Sequence, residues 1–282
     1  MKSSRIYRDD LFRDQVVVVT GGGTGIGVAI ARELGALGAQ VVIASRSPAN
    51  IEPAAKGLTE ELGRTVVGET CDIRDRDATA GLVERVVARF GRLDVLVNNG
   101  GGQFFSPAEA ITPKGFDAVV QTNLTGTWNM TRAAADGWML AHGGSVVNIT
   151  MLTHGAFPGM AHSVAARAGV EAMTRTLAVE WAGRGVRLNC IAPGFVASSG
   201  IGRYPAGLNV VQQMKSLVPM KRLATCEEVA WAVAWLAGPA GAYVTGQVIT
   251  VDGGKELWGD WWPIPDPPGM QPVEIPKEPW QE

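Results

Sequence analysis

The sequence has few cysteines, few tyrosines and no long block of basic residues. Its three cysteines, Cys71, Cys190 and Cys226, are odd in number and widely spaced. They indicate neither a disulfide framework nor a metal cluster, and such usage is typical of a reducing compartment. The formal net charge is -2. This balance, without any Lys/Arg run, argues against nucleic acid or an anionic membrane as a partner.

Long apolar runs are also lacking. No stretch reaches the about 18 uncharged apolar residues of a membrane span, and the N-terminal residues lack the apolar core of a secretory signal. The last residues, Pro279-Trp280-Gln281-Glu282, do not match a peroxisomal address. We therefore expect a soluble, cytoplasmic protein. Its 282 residues, 46% of them hydrophobic, are enough for one large core, so we expect a single domain.

Short runs rich in Val and Ile alternate with helical patterns, which predicts βαβ units around a parallel sheet. The predicted strands are 15–20, 40–44, 65–69, 93–98, 145–149, 186–191 and 247–251. Their nearly continuous apolar content indicates helices on both faces. The predicted fold class is α/β, a Rossmann-like doubly wound parallel sheet of seven strands, with ligands at the carboxyl ends of the strands.

Three segments depart from this alternation. Residues 1–13 form a predicted N-terminal arm ahead of the domain at 14–254. Residues 195–220 are rich in glycine and proline around one short predicted helix, 208–217, and we expect a flap over the substrate. The tail, 255–282, holds several tryptophans among seven prolines, so it packs either along its own subunit or on a neighbouring one.

A glycine-rich turn follows the four valines of the first strand, with the spacing T-G-x-x-x-G-x-G. Its glycines allow a sharp bend and close approach to a pyrophosphate, whose charge then lies at the positive end of a helix. The predicted binding residues are Gly21, Gly23, Thr24, Gly25, Ile26 and Gly27. Behind a strand, this spacing predicts a dinucleotide site.

The second predicted strand ends in Ser45-Arg46, without the Asp or Glu that would bind an adenosine ribose. A guanidinium group makes charge-assisted hydrogen bonds to a 2′-phosphate. We therefore expect NADP(H) rather than NAD(H). The alternative is that Arg46 is solvated and confers no preference.

Two further motifs end the fourth and sixth strands. The fourth is followed by Asn98-Asn99-Gly100-Gly101-Gly102-Gln103-Phe104. A plain turn needs one glycine, so three in succession indicate backbone pressed against a ribose or substrate. The sixth strand leads into Pro193-Gly194-Phe195-Val196-Ala197-Ser198, which would be a weak signal without the other motifs.

In this order the motifs resemble those of the short-chain dehydrogenase/reductase family over residues 14–254. The resemblance implies three further groups of cofactor contacts. Cys71, Asp72 and Ile73 would flank the adenine, Asn99, Gly100 and Gly101 would match the family's Asn-Ala-Gly, and Pro193, Gly194, Val196 and Ser198 would meet the nicotinamide carboxamide.

The helix predicted from His162 to Ala182 departs from the family's pattern. Its first turn normally carries Tyr-x-x-x-Lys, but here Ser163 and Arg167 hold these positions. A serine hydroxyl is a far weaker acid than a phenol, and arginine stays protonated, so neither repeats that proton chemistry. The chain most resembles the peroxisomal trans-2-enoyl-CoA reductase branch, next to the 2,4-dienoyl-CoA reductases, which also lack Tyr-x-x-x-Lys.

This resemblance implies NADPH-dependent reduction of a carbon-carbon double bond conjugated to a thioester. Ketone reduction builds an alkoxide that needs a nearby proton donor. Reduction of an enoyl thioester sends hydride to the β-carbon and builds a delocalised enolate, which mainly needs hydrogen-bond donors at its oxygen. A hydroxyl and a fixed cation suit the second reaction better, so we expect an acyl thioester substrate.

We assign the catalytic roles as hypotheses. Arg167 would bridge the nicotinamide ribose hydroxyls and add positive potential, and Ser163 would donate a hydrogen bond to the thioester oxygen. Asn123 matches the family's helix-breaking asparagine, which holds an ordered water through its neighbouring backbone carbonyl. The family's serine falls at Thr150 by counting back from Arg167, or at Met151 by the register of the fifth strand.

Two other functions stay open. One is an alcohol dehydrogenase or ketoreductase in which His154, His162 or Tyr204 is the acid. The other is a nucleotide-binding regulator that has lost catalysis. Helices predicted at 126–141 and 162–182 correspond to the family's dimer faces, so the resemblance implies a homotetramer. No basic cluster marks a coenzyme A phosphate site, which leaves the thioester carrier open.

Overall fold

The computed structural model describes residues 7–199, 210–259 and 263–269. In these residues seven parallel strands form one sheet in the order β3-β2-β1-β4-β5-β6-β7. The strands are β1 (Val16–Thr20), β2 (Gln40–Ser45), β3 (Val67–Thr70), β4 (Val95–Asn98), β5 (Gly144–Ile149), β6 (Val186–Pro193) and β7 (Val248–Val251). The predicted α/β doubly wound sheet is confirmed. The largest difference is at β3, which begins two residues later and ends one residue later than predicted, and β6 extends two residues beyond its predicted end.

Helices cover both faces of the sheet. They are α1 (Gly25–Ala36), α2 (Pro48–Leu62), α3 (Arg76–Phe90), α4 (Pro113–Val120), α5 (Gly126–Ala134), α6 (Leu140–His142), α7 (Ala161–Trp181), α8 (Val210–Ser216) and α9 (Cys226–Ala237). Valines of β1 alternate between two cores: Val17 and Val19 pack with α1, α2 and α9, whereas Val16 and Val18 pack with α3, α5 and α7. This double burial explains the unbroken apolar run.

Strand β1 lies between β2 and β4, where the chain reverses its direction of winding. Thr20 at its end pairs with Ala44 of β2 and Asn98 of β4. A doubly wound sheet opens a crevice outside the strand ends at such a point. The glycine-rich motifs after β1 and β4 therefore meet at the edge where a ligand would bind.

Residues 113–142 form one continuous helical run that contains two π-helical turns, Gln121–Thr125 and Ala135–Met139. The helix predicted at 126–141 is the later part of this run. The helix predicted at 162–182 begins and ends one residue earlier, as α7. Single π-helical turns are frequent at functional sites, and the first one holds Asn123.

The segments outside the alternation are partly described. In the arm, the Tyr7 hydroxyl donates to the Trp231 carbonyl at 3.0 Å, and Phe12 is fully buried. At the start of the tail, the Lys221 ammonium lies 4.4 Å from the centre of the Trp258 ring. Of the predicted flap, residues 195–199 and 210–220 are described, so Tyr204 lies outside the described residues. No helix in the described ranges is long and apolar enough to span a membrane.

Candidate active site

The turn after β1 is built from backbone that leaves no room for side chains. Gly21 and Gly25 have φ values of +64° and +54°, which favour glycine. A Cβ at Gly27 would collide with the Gly21 carbonyl oxygen and would lie 2.6 Å from Nδ2 of Asn99. Helix α1 begins at Gly25, so the N–H groups of its first turn face this glycine-rich turn. The geometry matches a cradle for a pyrophosphate.

Asn99 joins the two glycine motifs. Its Nδ2 donates to the carbonyls of Thr20 and Gly21, both at 3.1 Å. In return the Thr20 hydroxyl accepts the backbone N–H groups of Asn99 and Gly100, at 3.1 and 2.9 Å. Ser198, after β6, reaches the same turn, since a Cβ at Gly25 would lie 3.6 Å from the Ser198 Cβ. The structure thus brings these predicted cofactor residues together.

The loop after β6 is fixed by its neighbours. Pro193 ends β6 opposite Val251 of β7, and a Cβ at Gly194 would lie 2.8 Å from Cα of Asp252. Val196 forms an isolated parallel bridge with Ala224. These contacts hold the predicted nicotinamide-side segment at the carboxyl edge of the sheet.

At the other end of the crevice, Arg46 is exposed at the end of β2, and the Ser45 hydroxyl accepts the Ser47 N–H at 3.2 Å. Asp72, after β3, forms a two-point ion pair with Arg74, with a shortest N–O distance of 2.6 Å. This hydrogen-bonded pair lowers the pKa of Asp72, and the charge of Arg46 contributes to the same direction. Sequence reasoning missed Arg74, although its place two residues after Asp72 was a usable signal.

The residues that flank Asp72 are buried. Burial raises the pKa of the Cys71 thiol to about 11, so this cysteine stays protonated and lines the crevice as a small apolar side chain. Ile73 packs against the start of α5, where a Cβ at Gly126 would lie 2.6 Å from Cγ1 of Ile73. Both therefore shape the side of the crevice where adenine is predicted to bind.

Arg167 lies in the second turn of α7 and is only 7% exposed. Its Nη1 donates to the Ile149 carbonyl at 2.7 Å, at the end of β5. A Cβ at Gly101 would collide with Nη2 of Arg167 and would lie 2.8 Å from Oδ1 of Asn123. Burial lowers the pKa of Arg167 to about 10. The guanidinium is thus a fixed positive charge under the glycine loop.

Asn123 is fully buried in the first π-helical turn. Its amide pairs with the backbone of Gly102 in both directions, at 2.9 and 3.0 Å. The carbonyl of Asn123 accepts the Thr127 hydroxyl at 2.8 Å. In this structure the side chain therefore fixes the loop after β4.

Ser163 is fully buried in the first turn of α7. Its hydroxyl donates to Oε1 of Gln103 at 2.8 Å and lies 3.4 Å from the Met151 sulfur. The Thr150 hydroxyl turns away, toward Oε1 of Glu171 at 3.2 Å and the Ile191 carbonyl at 3.3 Å. Of the two positions that the sequence left open, Met151 is the one that contacts Ser163.

Sequence reasoning also missed the buried acid of this site. Glu171 is 3% exposed, one helical turn after Arg167 on α7. Its Oε2 accepts the Thr153 hydroxyl at 2.8 Å, and its Oε1 accepts Thr150. The available signal was the spacing of four residues between Arg167 and Glu171, which places both side chains on the same face of α7.

The two histidines near the site differ. His162 is fully buried, its Nδ1 accepts the Ser163 N–H at 2.8 Å, and its ring packs edge-to-face on Phe104 at 4.4 Å. His154 is exposed, its N–H donates to Glu256 at 2.8 Å, and its ring lies 3.4 Å from the same carboxylate. Glu256 thus links the start of the tail to the loop after β5.

The described part of the chain contains no group of three His, Cys, Asp or Glu side chains placed to bind a metal.

Comparisons with known proteins agree with this architecture. Residues 21–256 match the family model described as Enoyl-(Acyl carrier protein) reductase. A peroxisomal 2,4-dienoyl-CoA reductase of Danio rerio is 39% identical over 260 residues, which is 91% of this chain and 86% of the relative. A probable 2,4-dienoyl-CoA reductase of Bacillus subtilis (strain 168) is 37% identical over 86% of this chain and 97% of its own.

Two solved structures extend the likeness. The citronellol catabolism dehydrogenase (AtuB) of Pseudomonas aeruginosa PAO1 has a TM-score of 0.80 and 40% identity, and the match covers 89% of this chain and 98% of that one. A single-substitution variant of the actinorhodin polyketide ketoreductase with NADPH has a TM-score of 0.82 and 32% identity, over 86% of this chain and 98% of that one.

Proposed function

The chain belongs to the short-chain dehydrogenase/reductase family and is an oxidoreductase of that family, and we propose that it reduces the double bond of a 2-enoyl thioester with NADPH. One observation carries this proposal. The first two turns of α7 offer a hydroxyl that is hydrogen-bonded to Gln103 and a guanidinium that is fixed on the Ile149 carbonyl. That pair supplies a hydrogen-bond network and positive charge, as an enolate needs, without a phenolic acid.

The residues around the crevice fit a nicotinamide dinucleotide, which would supply the hydride. A side chain at Gly27 would fill the cradle behind Gly21 and Asn99, so the backbone is shaped for a group that approaches closely. Asn99, Gly100 and Gly101 would lie along a ribose, and Pro193, Gly194, Val196 and Ser198 along the nicotinamide side. At the adenosine end, Arg46 supports NADP(H), because its exposed guanidinium is available to a 2′-phosphate.

The proposed roles of the chain's own groups follow from their positions. Arg167 keeps a positive charge beside the loop after β4 and stabilises negative charge that develops there. Asn123 holds the backbone of Gly102, and Ser163 holds the side chain of Gln103. Thr150 and Glu171 brace the end of β5 against α7. We propose no direct contact of Thr150 with substrate.

The remaining proposals concern assembly and location. We propose a homotetramer that uses the faces of α5 and α7, a flap at 195–220 over the substrate, and a cytoplasmic location, which the Bacillus relative supports. The domain is proposed to span 14–254, between the arm at 1–13 and the tail at 255–282.

A turnover panel tests the function. NADPH oxidation is followed by absorbance with crotonyl-CoA, longer 2-enoyl-CoAs, 2,4-dienoyl-CoAs and a set of ketones, each repeated with NADH. The expected result is oxidation with the enoyl or dienoyl thioesters and faster rates with NADPH. Oxidation with ketones alone would make the protein a ketoreductase. Cofactor binding without any turnover would identify a nucleotide-binding regulator.

A further inference from the structure

We propose that the contact between the rings of Phe157 and Phe195 ends the acyl site, so that the protein accepts short 2-enoyl thioesters and excludes long ones. This inference rests on the proposed enoyl thioester chemistry and names its substrate class. The two rings, the aromatic pair, come from different loops at the carboxyl edge of the sheet.

The aromatic pair closes the gap between the loop after β5 and the loop after β6. The ring centres of Phe157 and Phe195 lie 6.1 Å apart, and the ring planes are inclined by 66°. Aromatic rings in direct contact have centres about 4.5–7 Å apart, so no methylene chain passes between these two. Both residues are only half-buried, so each keeps surface that a ligand can contact.

The backbone on both sides of the aromatic pair is fixed. The Phe195 carbonyl accepts the Ala224 N–H at 2.9 Å, which holds the start of the loop after β6. On the other side, the carbonyl of Gly159, two residues after Phe157, accepts the Ser106 N–H at 3.0 Å. The loop after β5 is thereby bonded to the loop after β4. An acyl chain would have to break such contacts to push the two rings apart.

The polar side chains of the loop after β5 have other partners. The Thr153 hydroxyl donates to Oε2 of Glu171 at 2.8 Å, and the His154 ring lies 3.4 Å from Oε2 of Glu256. Phe157, farther along this loop, has no polar atom in its side chain. The aromatic pair therefore presents a surface that favours methyl and methylene groups over polar ones.

The aromatic pair also lies close to the proposed position of the reacting carbon. Hydride is transferred to the β-carbon, and the nicotinamide is proposed along the segment that begins Pro193-Gly194, which Phe195 continues. Negative charge on the thioester is proposed to develop beside Arg167, near the start of α7. Carbons beyond the β-carbon extend away from the thioester, so they reach the aromatic pair after few bonds. Crotonyl-CoA has one such carbon, whereas 2-decenoyl-CoA has seven.

Kinetics with thioesters of two lengths test this limit. The value of kcat/KM is measured with NADPH for crotonyl-CoA and for 2-decenoyl-CoA, and the ratio of the two is compared among variants. One methylene in an apolar pocket changes kcat/KM by about 10- to 200-fold, so the wild type should favour crotonyl-CoA by at least about tenfold. Phe157→Ala and Phe195→Ala should each shift the ratio toward 2-decenoyl-CoA by about 10- to 100-fold.

Two further variants separate the acyl site from a general loss of packing. Phe157→Leu, which keeps an apolar side chain of intermediate size, should give an intermediate ratio. The matched control is Phe90→Ala, which truncates another half-buried phenylalanine at the end of α3, at the opposite edge of the sheet. It should keep the wild-type ratio, because a loss of stability lowers both values of kcat/KM together.

A binding readout needs no hydride transfer. Saturated acyl-CoAs from butyryl-CoA to decanoyl-CoA are titrated by calorimetry into the wild type and Phe157→Ala, each with NADP+. In the variant, affinity should rise about fourfold with each added methylene, because each methylene is buried in the opened site. In the wild type, affinity should stop rising by hexanoyl-CoA.

The outcomes distinguish this inference from the proposed function. If the wild type reduces 2-decenoyl-CoA as well as crotonyl-CoA, or if Phe157→Ala leaves the ratio unchanged, the chain-length limit is overturned and enoyl reduction stands. If the two proteins differ in acyl-CoA affinity as expected but neither oxidises NADPH with any enoyl thioester, the acyl site stands and the proposed function is wrong. Binding of no acyl-CoA by either protein would overturn both.

Discussion

The turn after β1 and the pocket around α7 are built in opposite ways. The turn depends on glycines that carry no side chain, because a Cβ at Gly27 would overlap the Gly21 carbonyl. The pocket is defined by polar side chains that are tied to main chain: Arg167 to Ile149, and Asn123 to Gly102. A site built from backbone atoms is selective for the shape of its ligand. A site built from hydrogen-bonded side chains changes its chemistry when one side chain is replaced.

The largest effect is expected when a methyl group is placed in the turn after β1. Gly27→Ala should weaken cofactor binding by about 100-fold, because overpacking a rigid backbone costs about 1–3 kcal/mol. Fluorescence titration with NADPH measures the effect. The matched control is Gly183→Ala, where no atom lies within 4 Å of the added Cβ. Equal affinities in both variants would mean that the turn does not cradle the cofactor.

The next largest effect should come from Arg167→Lys. The buried guanidinium has a pKa of about 10, so its charge is present below that pH and is lost above it. Lysine starts near 10.4, and the same burial lowers its pKa further, so the charge is lost at a lower pH. We expect about 10- to 100-fold slower turnover at pH 7. Initial rates from pH 6 to 11 should show the alkaline limb near 10 in the wild type and at lower pH in the variant, and coincident limbs would contradict the role of Arg167.

A smaller effect is expected at the adenosine end. Arg46→Ala should raise the KM for NADPH about tenfold, since a charge-assisted contact at an exposed site is worth roughly 1.4 kcal/mol. The KM for NADH should stay the same, which sharpens the assignment to the 2′-phosphate. Arg89→Ala, at the opposite end of the sheet in the last turn of α3, is the control. An equal rise for both cofactors would remove Arg46 as the source of preference.

The smallest effect is expected at His154, in the exposed loop after β5. The His154 side chain is 70% exposed, and its pairing with Glu256 is reinforced by the backbone N–H, which a substitution leaves in place. Exposed ion pairs are worth about 0–1 kcal/mol. His154→Ala should therefore change kcat and KM less than twofold in the enoyl-CoA assay. A loss of 100-fold would instead identify His154 as the proton donor.

The same contrast explains what the sequence could predict. The turn after β1 is specified by local glycine spacing, and the structure places Gly21, Gly25 and Gly27 in this turn, at the switch between β1 and β4. That they bind a cofactor stays a prediction. The partners of Ser163 are 60 residues away in Gln103 and 12 residues away in Met151. A side-chain hydrogen bond across such separations depends on the packed geometry and leaves no local pattern.

Thr150 shows where prediction from the sequence fails for a single residue. Counting along the chain could not decide between Thr150 and Met151, because successive side chains of a strand point to opposite faces and a shift of one residue reverses them. The structure directs the Thr150 hydroxyl to Glu171, whose spacing of four residues from Arg167 on α7 was the local signal for it.

The π-helical turns in the run at 113–142 bear on insertions and deletions. A π turn closes on the fifth residue ahead, so it takes in one residue more than an α turn. Loss of one residue from Gln121–Thr125 would restore an α turn and rotate the preceding helix by about 100°, which would carry Asn123 away from Gly102. The second turn sets Gly137 against Val83 of α3. At both places, substitutions should be tolerated better than any change in the number of residues.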